Sequence, residues 1–301
     1  MHPPKGRPHA SDAPRRCQTA LVTPTWQANW DAPRPFVHPL RTPAGAVLSV
    51  DAPDDHPWHH GLWSTIKFVN GENFWEEYDE FGLLHTVAVV ALDDAPAPSC
   101  RARLEWRRPV PEGSDAVVGG AVGEVVLDEV RTLRHVELDA QAYGIDWTVE
   151  LTPRVDVVLD RTPYTTWGGY GGLTLRGAPD WTDTTLRLAD ADGPVEQLRG
   201  EPARWCHLQG RTTLPDGSAG SAGVAIVDHP GNPRHPSPWY ASTRADTYGG
   251  GWANFVNAAF LWHEPLSVAA GDTLRLRHLV VVHDHERSRD EVDRISGAWT
   301  A

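Results

Sequence analysis

From Ile145 to Leu151, apolar Ile145, Trp147, Val149 and Leu151 alternate with Asp146, Thr148 and Glu150. That is the period-2 pattern of a strand with one buried face. Leu274, Leu276, His278, Val280 and Val282 repeat it, with Arg275 and Arg277 between the first three. Shorter β-type runs fall at 46–50, 62–69, 83–92, 101–107, 122–138, 155–159, 172–176, 204–209 and 223–228. Gly, Pro and Asp clusters at 93–98, 111–115, 190–194, 215–223 and 229–238 separate them, and such residues break strands. Helical spacing shows only near the end, where Val292 and Ile295 predict a short helix over 287–296. The stretch 93–121 has the weakest pattern and reads as an exposed hairpin with long loops. Many short strands without a repeat of 20–50 residues predict an all-β protein, a large antiparallel β-sandwich.

The length of 301 residues suits one large β domain. It is expected to span 21–301, after a disordered Pro-, Arg- and His-rich tail at 1–20. The formal net charge of -13 argues against nucleic acid, because phosphate binding needs a basic face. It also disfavours anionic membrane surfaces. No run reaches the roughly 18–20 apolar residues that a spanning helix needs. The basic N-terminus lacks the apolar segment of a secretory signal, so a cytoplasmic location is expected. Cys17, Cys100 and Cys206 are far apart, which predicts idle thiols rather than a disulfide framework. The 14 tryptophans change the picture more: indole suits surfaces that are half apolar and half wet.

Candidate chemistry concentrates in four segments. The first, DDHPWHHGLW at 54–63, packs His56, His59 and His60 beside Trp58 and Trp63. Pro57 rules out a central strand, and Gly61 lets the chain turn into the next strand. His56 and His60 also have the spacing of one helical face. Three imidazoles on a loop can serve as acids, bases or metal ligands. A turn whose histidines cap backbone groups satisfies the same pattern.

The second segment, KFVNGENFWEEYDEFG at 67–82, holds a tight-turn signal at Asn70-Gly71 and then Trp75, Glu76, Glu77, Asp79 and Glu80. A carboxylate beside tryptophan is desolvated and suited to proton transfer, which selects Glu76, with His85 close behind. The bland reading is a solvated acidic face. The third, DHPGNPRHPSPWY at 228–240, is a proline-stiffened loop carrying His229, Asn232, Arg234, His235, Trp239 and Tyr240. A stiff loop loses little entropy on binding, and Asn and Arg can bond adjacent hydroxyls; a loop that only covers a sheet edge is the alternative. The fourth, WGGYGGL at 167–173, surrounds Tyr170 with glycines but lacks the phosphate-loop pattern. It predicts a bulge or a close backbone approach to a ligand. HDHE at 283–286 reads as solvated strand-end residues, and His207 and His263 as core or supporting histidines. There is no GxSxG elbow and no dinucleotide fingerprint.

HPLRTPAG at 38–45, DHPWHHGLW at 55–63, VNGENFW at 69–75, GGYGGL at 168–173 and DHPGNPRHPSPWY at 228–240 together resemble one uncharacterised bacterial family, often labelled "methane oxygenase PmoA". The resemblance covers nearly the whole chain after residue 20. Trp58 and His60 stand here where many relatives read His and Arg. The membrane subunit of that label is a bundle of spanning helices, and this sequence has none. The resemblance implies instead a large antiparallel sandwich similar to the galactose-mutarotase supersandwich, and a place in carbohydrate catabolism.

These readings combine into a carbohydrate-active enzyme using His/carboxylate acid–base chemistry on a sugar or sugar derivative. The candidate catalytic residues are His56, His59, His60, Glu76 and His85. Trp58, Trp63, Trp75, Tyr170, His229, Asn232, Arg234, His235 and Trp239 are candidate substrate-binding residues. Epimerase, lyase and hydrolase chemistry all remain open. The alternatives are a non-catalytic carbohydrate-binding protein and a His-ligated metal-dependent oxygenase. No cofactor is predicted, and a His-bound divalent metal stays open. The expected partner is a small sugar-like ligand, with no nucleic acid and no membrane, and with no oligomeric state implied.

Overall fold

The computed structural model describes residues 25–78, 80–92, 99–109, 123–162, 169–244 and 254–301. The expected tail at 1–20, with Cys17, therefore lies outside the described residues, as do Asp79 and most of 93–121. In chain order the first strands are β1 (Trp26–Asn29), β2 (Phe36–Leu40), β3 (Leu62–Ile66), β4 (Phe68–Val69), β5 (Glu72–Asn73), β6 (Leu83–Ala91) and β7 (Ser99–Arg107). The long strands β8 (Val125–Asp139) and β9 (Ala142–Pro153) follow, then β10 (Val157–Asp160), β11 (Gly171–Arg176), β12 (Thr182–Leu188) and β13 (Gln197–Pro202). After them come β14 (Trp205–Thr213), β15 (Ala219–Asp228), β16 (Pro238–Ser242), β17 (Phe255–Ala258), β18 (Leu266–Val268), β19 (Leu274–Asp284) and the helix α1 (Arg289–Thr300).

The strands form three antiparallel sheets. Seven pair in the order β1-β2-β3-β11-β17-β16-β13, eight in the order β12-β14-β15-β19-β9-β8-β7-β6, and four in the order β18-β10-β4-β5. The two large sheets share one core, to which Leu62, Leu173, Val256 and Trp239 contribute from the first and Ile145, Trp147, Val280 and Ile226 from the second. The expected all-β sandwich is what forms.

Alternation explains half of the burial and tertiary packing the rest. Ile145, Trp147, Val149 and Leu151 point into the shared core, as their period demands. Asp146 on the opposite face is buried too, because α1 lies over it. Trp299 Nε1 donates to Asp146 Oδ2 at 3.1 Å, and Trp205 Nε1 donates to Asp293 Oδ1 at 2.8 Å. The helix begins at Ser288, whose hydroxyl and Glu291 form a reciprocal capping box, a device that stabilises by about 1 kcal/mol. It runs to Thr300, beyond the expected 287–296.

One fully buried ion pair fixes how the two large sheets sit on each other. Arg131 on β8 donates to Glu129 Oε1 at 2.6 Å, to Pro35 O at 2.7 Å and to Ser64 O at 3.0 Å. Trp106 Nε1 donates to the other Glu129 oxygen at 2.7 Å. An arginine buried this deeply is tolerated only when its donors are met. Here they are met by carbonyls next to Phe36 and Trp63, the residues that begin the site.

Candidate functional site

The seven-stranded sheet has a second face, turned away from the shared core. Phe36, Trp63, Thr174, Asn257 and Tyr240 form one cross-strand row on it, each paired with the next in register. Phe36, Trp63, Trp75, Tyr240, Phe255 and Ala259 make a separate buried cluster there, with Trp58, Tyr170 and Trp262 packed around it.

The histidine loop folds onto this face through two tight turns. His56 N bonds to Pro53 O at 3.0 Å and His59 N to His56 O at 2.9 Å, while Asp51 and His60 close the loop as a bridge. Gly61 ends it at φ +62°, and a Cβ there would sit 2.5 Å from Val37 O. No helical turn forms, so the expected pairing of His56 with His60 fails; His56 stacks on His59 instead, at 4.6 Å and 18°.

The pKa values of His59 and His60, adjacent in sequence, are shifted in opposite directions. His59 lies among Trp63, Trp75 and Phe255 at ring separations of 5.2, 6.3 and 5.4 Å. Burial, helped by the nearby His56, Arg176 and His60, holds its pKa well below the usual histidine value. Arg176 donates to its Nδ1 at 3.4 Å, which leaves the ring proton on Nε2. His60 stacks on Phe36 at 4.7 Å. Its Nδ1 donates to Asp51 Oδ1 at 2.6 Å, and its Nε2 lies 3.1 Å from Glu77 Oε1. Burial alone would lower the His60 pKa, but Glu77 and Asp51 outweigh it and raise it. Burial would likewise raise Glu77, yet His60 and Arg34 hold its carboxyl below the ordinary range. The Nε2 and Oε1 atoms are in ion-pair contact, and both are buried from solvent.

Glu76 is placed differently from expectation. Its carboxylate is bound by Lys67 Nζ and by Asn73 Nδ2 at 2.6 Å. The carboxylate against an imidazole is its neighbour Glu77, which Arg34 steadies at 3.2 Å while also bonding the Phe74 and Gly82 carbonyls. Asp55 closes the set with bonds from Arg176 at 2.7 Å and His56 at 3.0 Å. Burial would raise its pKa, but those two partners hold it down.

Of the other candidates, Trp58, Trp63, Trp75 and Tyr170 converge here, and Trp75 stacks on Tyr170 at 4.8 Å. The 228–240 loop does not bring its polar groups along. Asn232 and His235 bond the buried Asp228, both at 2.7 Å, and Arg234 caps the carbonyls of Phe260, Glu264 and Pro265. His229 meets Trp299 edge-on at 5.3 Å. Trp239 faces the shared core, with Nε1 on Ala203 O at 2.9 Å. A stiff proline loop spends its side chains on holding itself together. Only Tyr240 reaches the aromatic cluster, stacked on Trp262 at 5.6 Å. His85 is exposed on β6 opposite Glu105, in the other sheet.

The glycine-rich segment does permit a close approach, but to protein: a Cβ on Gly169 would lie 2.1 Å from the Trp262 ring. Trp167 and Gly168 lie outside the described residues. His207 is buried, whereas His263 is exposed on the turn after Trp262. Cys100 and Cys206 are buried free thiols, and burial pushes the Cys100 pKa up to about 12. Among the described residues no group of three or more His, Cys, Asp or Glu side chains is arranged to hold a metal ion.

Asp51, Arg176 and Phe255 are not marked in the sequence, and Glu77 stands there among the acids after Trp75 but is passed over for Glu76. Local density marked the histidines, but nothing local marks Arg176 or Phe255, which arrive by strand pairing.

The fold and face define a β-sandwich protein with an aromatic, histidine- and carboxylate-bearing surface on one sheet. The chain belongs to a family of unknown function (DUF6807), whose model matches residues 16–296. No curated protein matches it. No helix among the described residues is long and apolar enough to cross a membrane.

Proposed function

We propose that this face binds a sugar-like ring and carries out acid–base chemistry on it, with His60 and Glu77 as the exchanging pair. One observation carries the reading: a raised-pKa imidazole and a lowered-pKa carboxylate lie 3.1 Å apart. Both atoms are buried and too close for an oxygen to fit between them, so a ligand hydroxyl accepts a hydrogen bond from His60 and donates one to Glu77 only once the two side chains part. Asp51 orients the imidazole from its far side. Trp58 and Tyr78, with ring centres 5.8 Å apart and both partly exposed, offer apolar faces for a sugar ring at the rim. Neutral His59 supplies an N–H donor.

Epimerisation, β-elimination and hydrolysis all use such a pair, and likeness to the mutarotase sandwich is fold analogy only. The methane-oxygenase label draws no support from this geometry, in which no group of three or more His, Cys, Asp or Glu side chains among the described residues is arranged to hold a metal ion.

The test is a panel of mono- and disaccharides followed by NMR for turnover and by calorimetry for binding, with wild type, Glu77→Gln and His60→Gln. Turnover by wild type and at least about a hundredfold loss in both variants with binding retained supports the enzyme. Wild-type binding without turnover favours the non-catalytic sugar binder. Turnover undiminished in both variants overturns the assigned pair.

A further inference from the structure

The charges around this face are arranged in depth. Four basic side chains lie deep against it: Arg34, His60, Lys67 and Arg176. Each is in contact with a carboxylate: Arg34 with Glu77 at 3.2 Å, His60 with Asp51 at 2.6 Å, Lys67 with Glu76, and Arg176 with Asp55 at 2.7 Å. These four are only 1–10% exposed, whereas their carboxylate partners are 20–40% exposed; His56, the second group on Asp55, is 22% exposed and lies outside this inner set. The cations therefore form the inner layer and the carboxylates the outer one. An approaching ligand therefore meets carboxylate oxygens before the cations behind them.

Such a layering selects by charge. A sugar acid or sugar phosphate needs an accessible cation, and the fork of an arginine is the usual one. Here Arg176 is engaged by Asp55 and His59, and Arg34 by Glu77 and three backbone carbonyls. An anion must expel a carboxylate from a nearly buried guanidinium, or sit against the outer carboxylates at a repulsive distance. The formal charge of -13 on the whole chain adds a long-range field of the same sign. Hydroxyl groups meet the opposite situation, because each outer carboxylate has lone pairs left to accept from an O–H donor.

We infer that the site takes polyhydroxy ligands that carry no negative charge and excludes sugar acids and sugar phosphates. The inference rests on the carbohydrate reading above and sharpens it into a substrate class. Asp55 is the specificity-determining residue: by occupying Arg176 it removes the cation an acid group would use.

The experiment is isothermal calorimetry on the full chain with glucose, galactose and mannose, each beside its uronate and its 6-phosphate. Wild type is expected to bind at least one neutral hexose about tenfold more tightly than either charged partner, with an affinity unchanged from low to high salt. Asp55→Asn, which keeps the side-chain shape and leaves Arg176 uncompensated, is expected to raise the anionic-to-neutral affinity ratio about tenfold. Where Asp55→Asn fails to fold, the wild-type ratio and its salt dependence decide. A uronate or phosphate that binds more tightly than its neutral parent overturns the charge selection and leaves the carbohydrate reading standing. Binding by none of the compounds overturns both.

Discussion

Replacing Arg131 by methionine tests whether one buried ion pair holds the site-bearing sheet in place. The guanidinium contacts Glu129 at 2.6 Å and the carbonyls of Pro35 and Ser64 at 2.7 and 3.0 Å, and neither Arg131 nor Glu129 is more than 1% exposed. Methionine fills similar volume, so the cavity contribution is small. What remains is a buried Glu129 with only Trp106 as donor and two carbonyls without their partner. Removing one member of a buried pair costs about 3–5 kcal/mol, a large part of the 5–15 kcal/mol by which domains are ordinarily stable. Urea denaturation followed by tryptophan fluorescence measures it. The double variant Arg131→Met with Glu129→Leu is expected to recover at least about half of the loss, because the uncompensated charge goes with the carboxylate. A single-variant loss under about 1.5 kcal/mol, or no recovery in the double variant, refutes the argument that this pair ties the sheets together.

Other parts of the structure give sharp expectations. His207 and His283 meet Nε2 to Nε2 at 2.9 Å in the interior beneath α1, and burial lowers the His283 pKa from 6.5 to about 4. Below pH 6.5 the unfolded chain takes up a proton there that the folded chain refuses, so stability falls on acidification, by about 3 kcal/mol from His283 alone on reaching pH 4. Melts of wild type and His283→Gln as a function of pH check it, and equal acid sensitivity in both removes the explanation. Gly61→Ala combines φ +62° with a Cβ 2.5 Å from Val37 O; a thermal melt is expected to show a loss of about 2–4 kcal/mol, and a shift of a degree or two would contradict the geometry. Trp63 Nε1 is buried without a hydrogen-bond partner among the described residues, so Trp63→Phe forfeits packing area but no bond. Its denaturation midpoint should shift far less than that of Trp106→Phe, whose indole donates to Glu129. Finally, Glu77→Gln removes the stronger of the two carboxylate influences on His60; an NMR titration should show the imidazole pKa fall, and no change would mean Asp51 alone sets it.

The alternation along β9 and β19 and the turn clusters were enough to read a β-sandwich from the sequence, because a half-buried strand leaves its period in consecutive side chains. The short strands β1, β2, β16 and β17 left no such period. Pro39 and Pro238 even argue against strands that in fact exist. Conversely 46–50 reads as a strand, yet it contributes only isolated bridges from Val47 and Ser49. The crowding of His59, His60, Trp63 and Trp75 was legible, since all four sit within 17 consecutive residues.

What each residue does was decided only by tertiary contact. Glu76 and Glu77 are chemically identical neighbours, and the fold gives one to Lys67 and the other to His60. Arg176 lies more than a hundred residues from Asp55 and His59, and antiparallel pairing of β11 with β3 brings it to them. The 228–240 loop looked as rich as the histidine loop, but its polar atoms are absorbed by Asp228 and nearby carbonyls. Periodicity is a local property and is written along the chain. Charge state and exposure depend on which distant groups come within a few ångströms, and that is settled only when the sheets pair and stack.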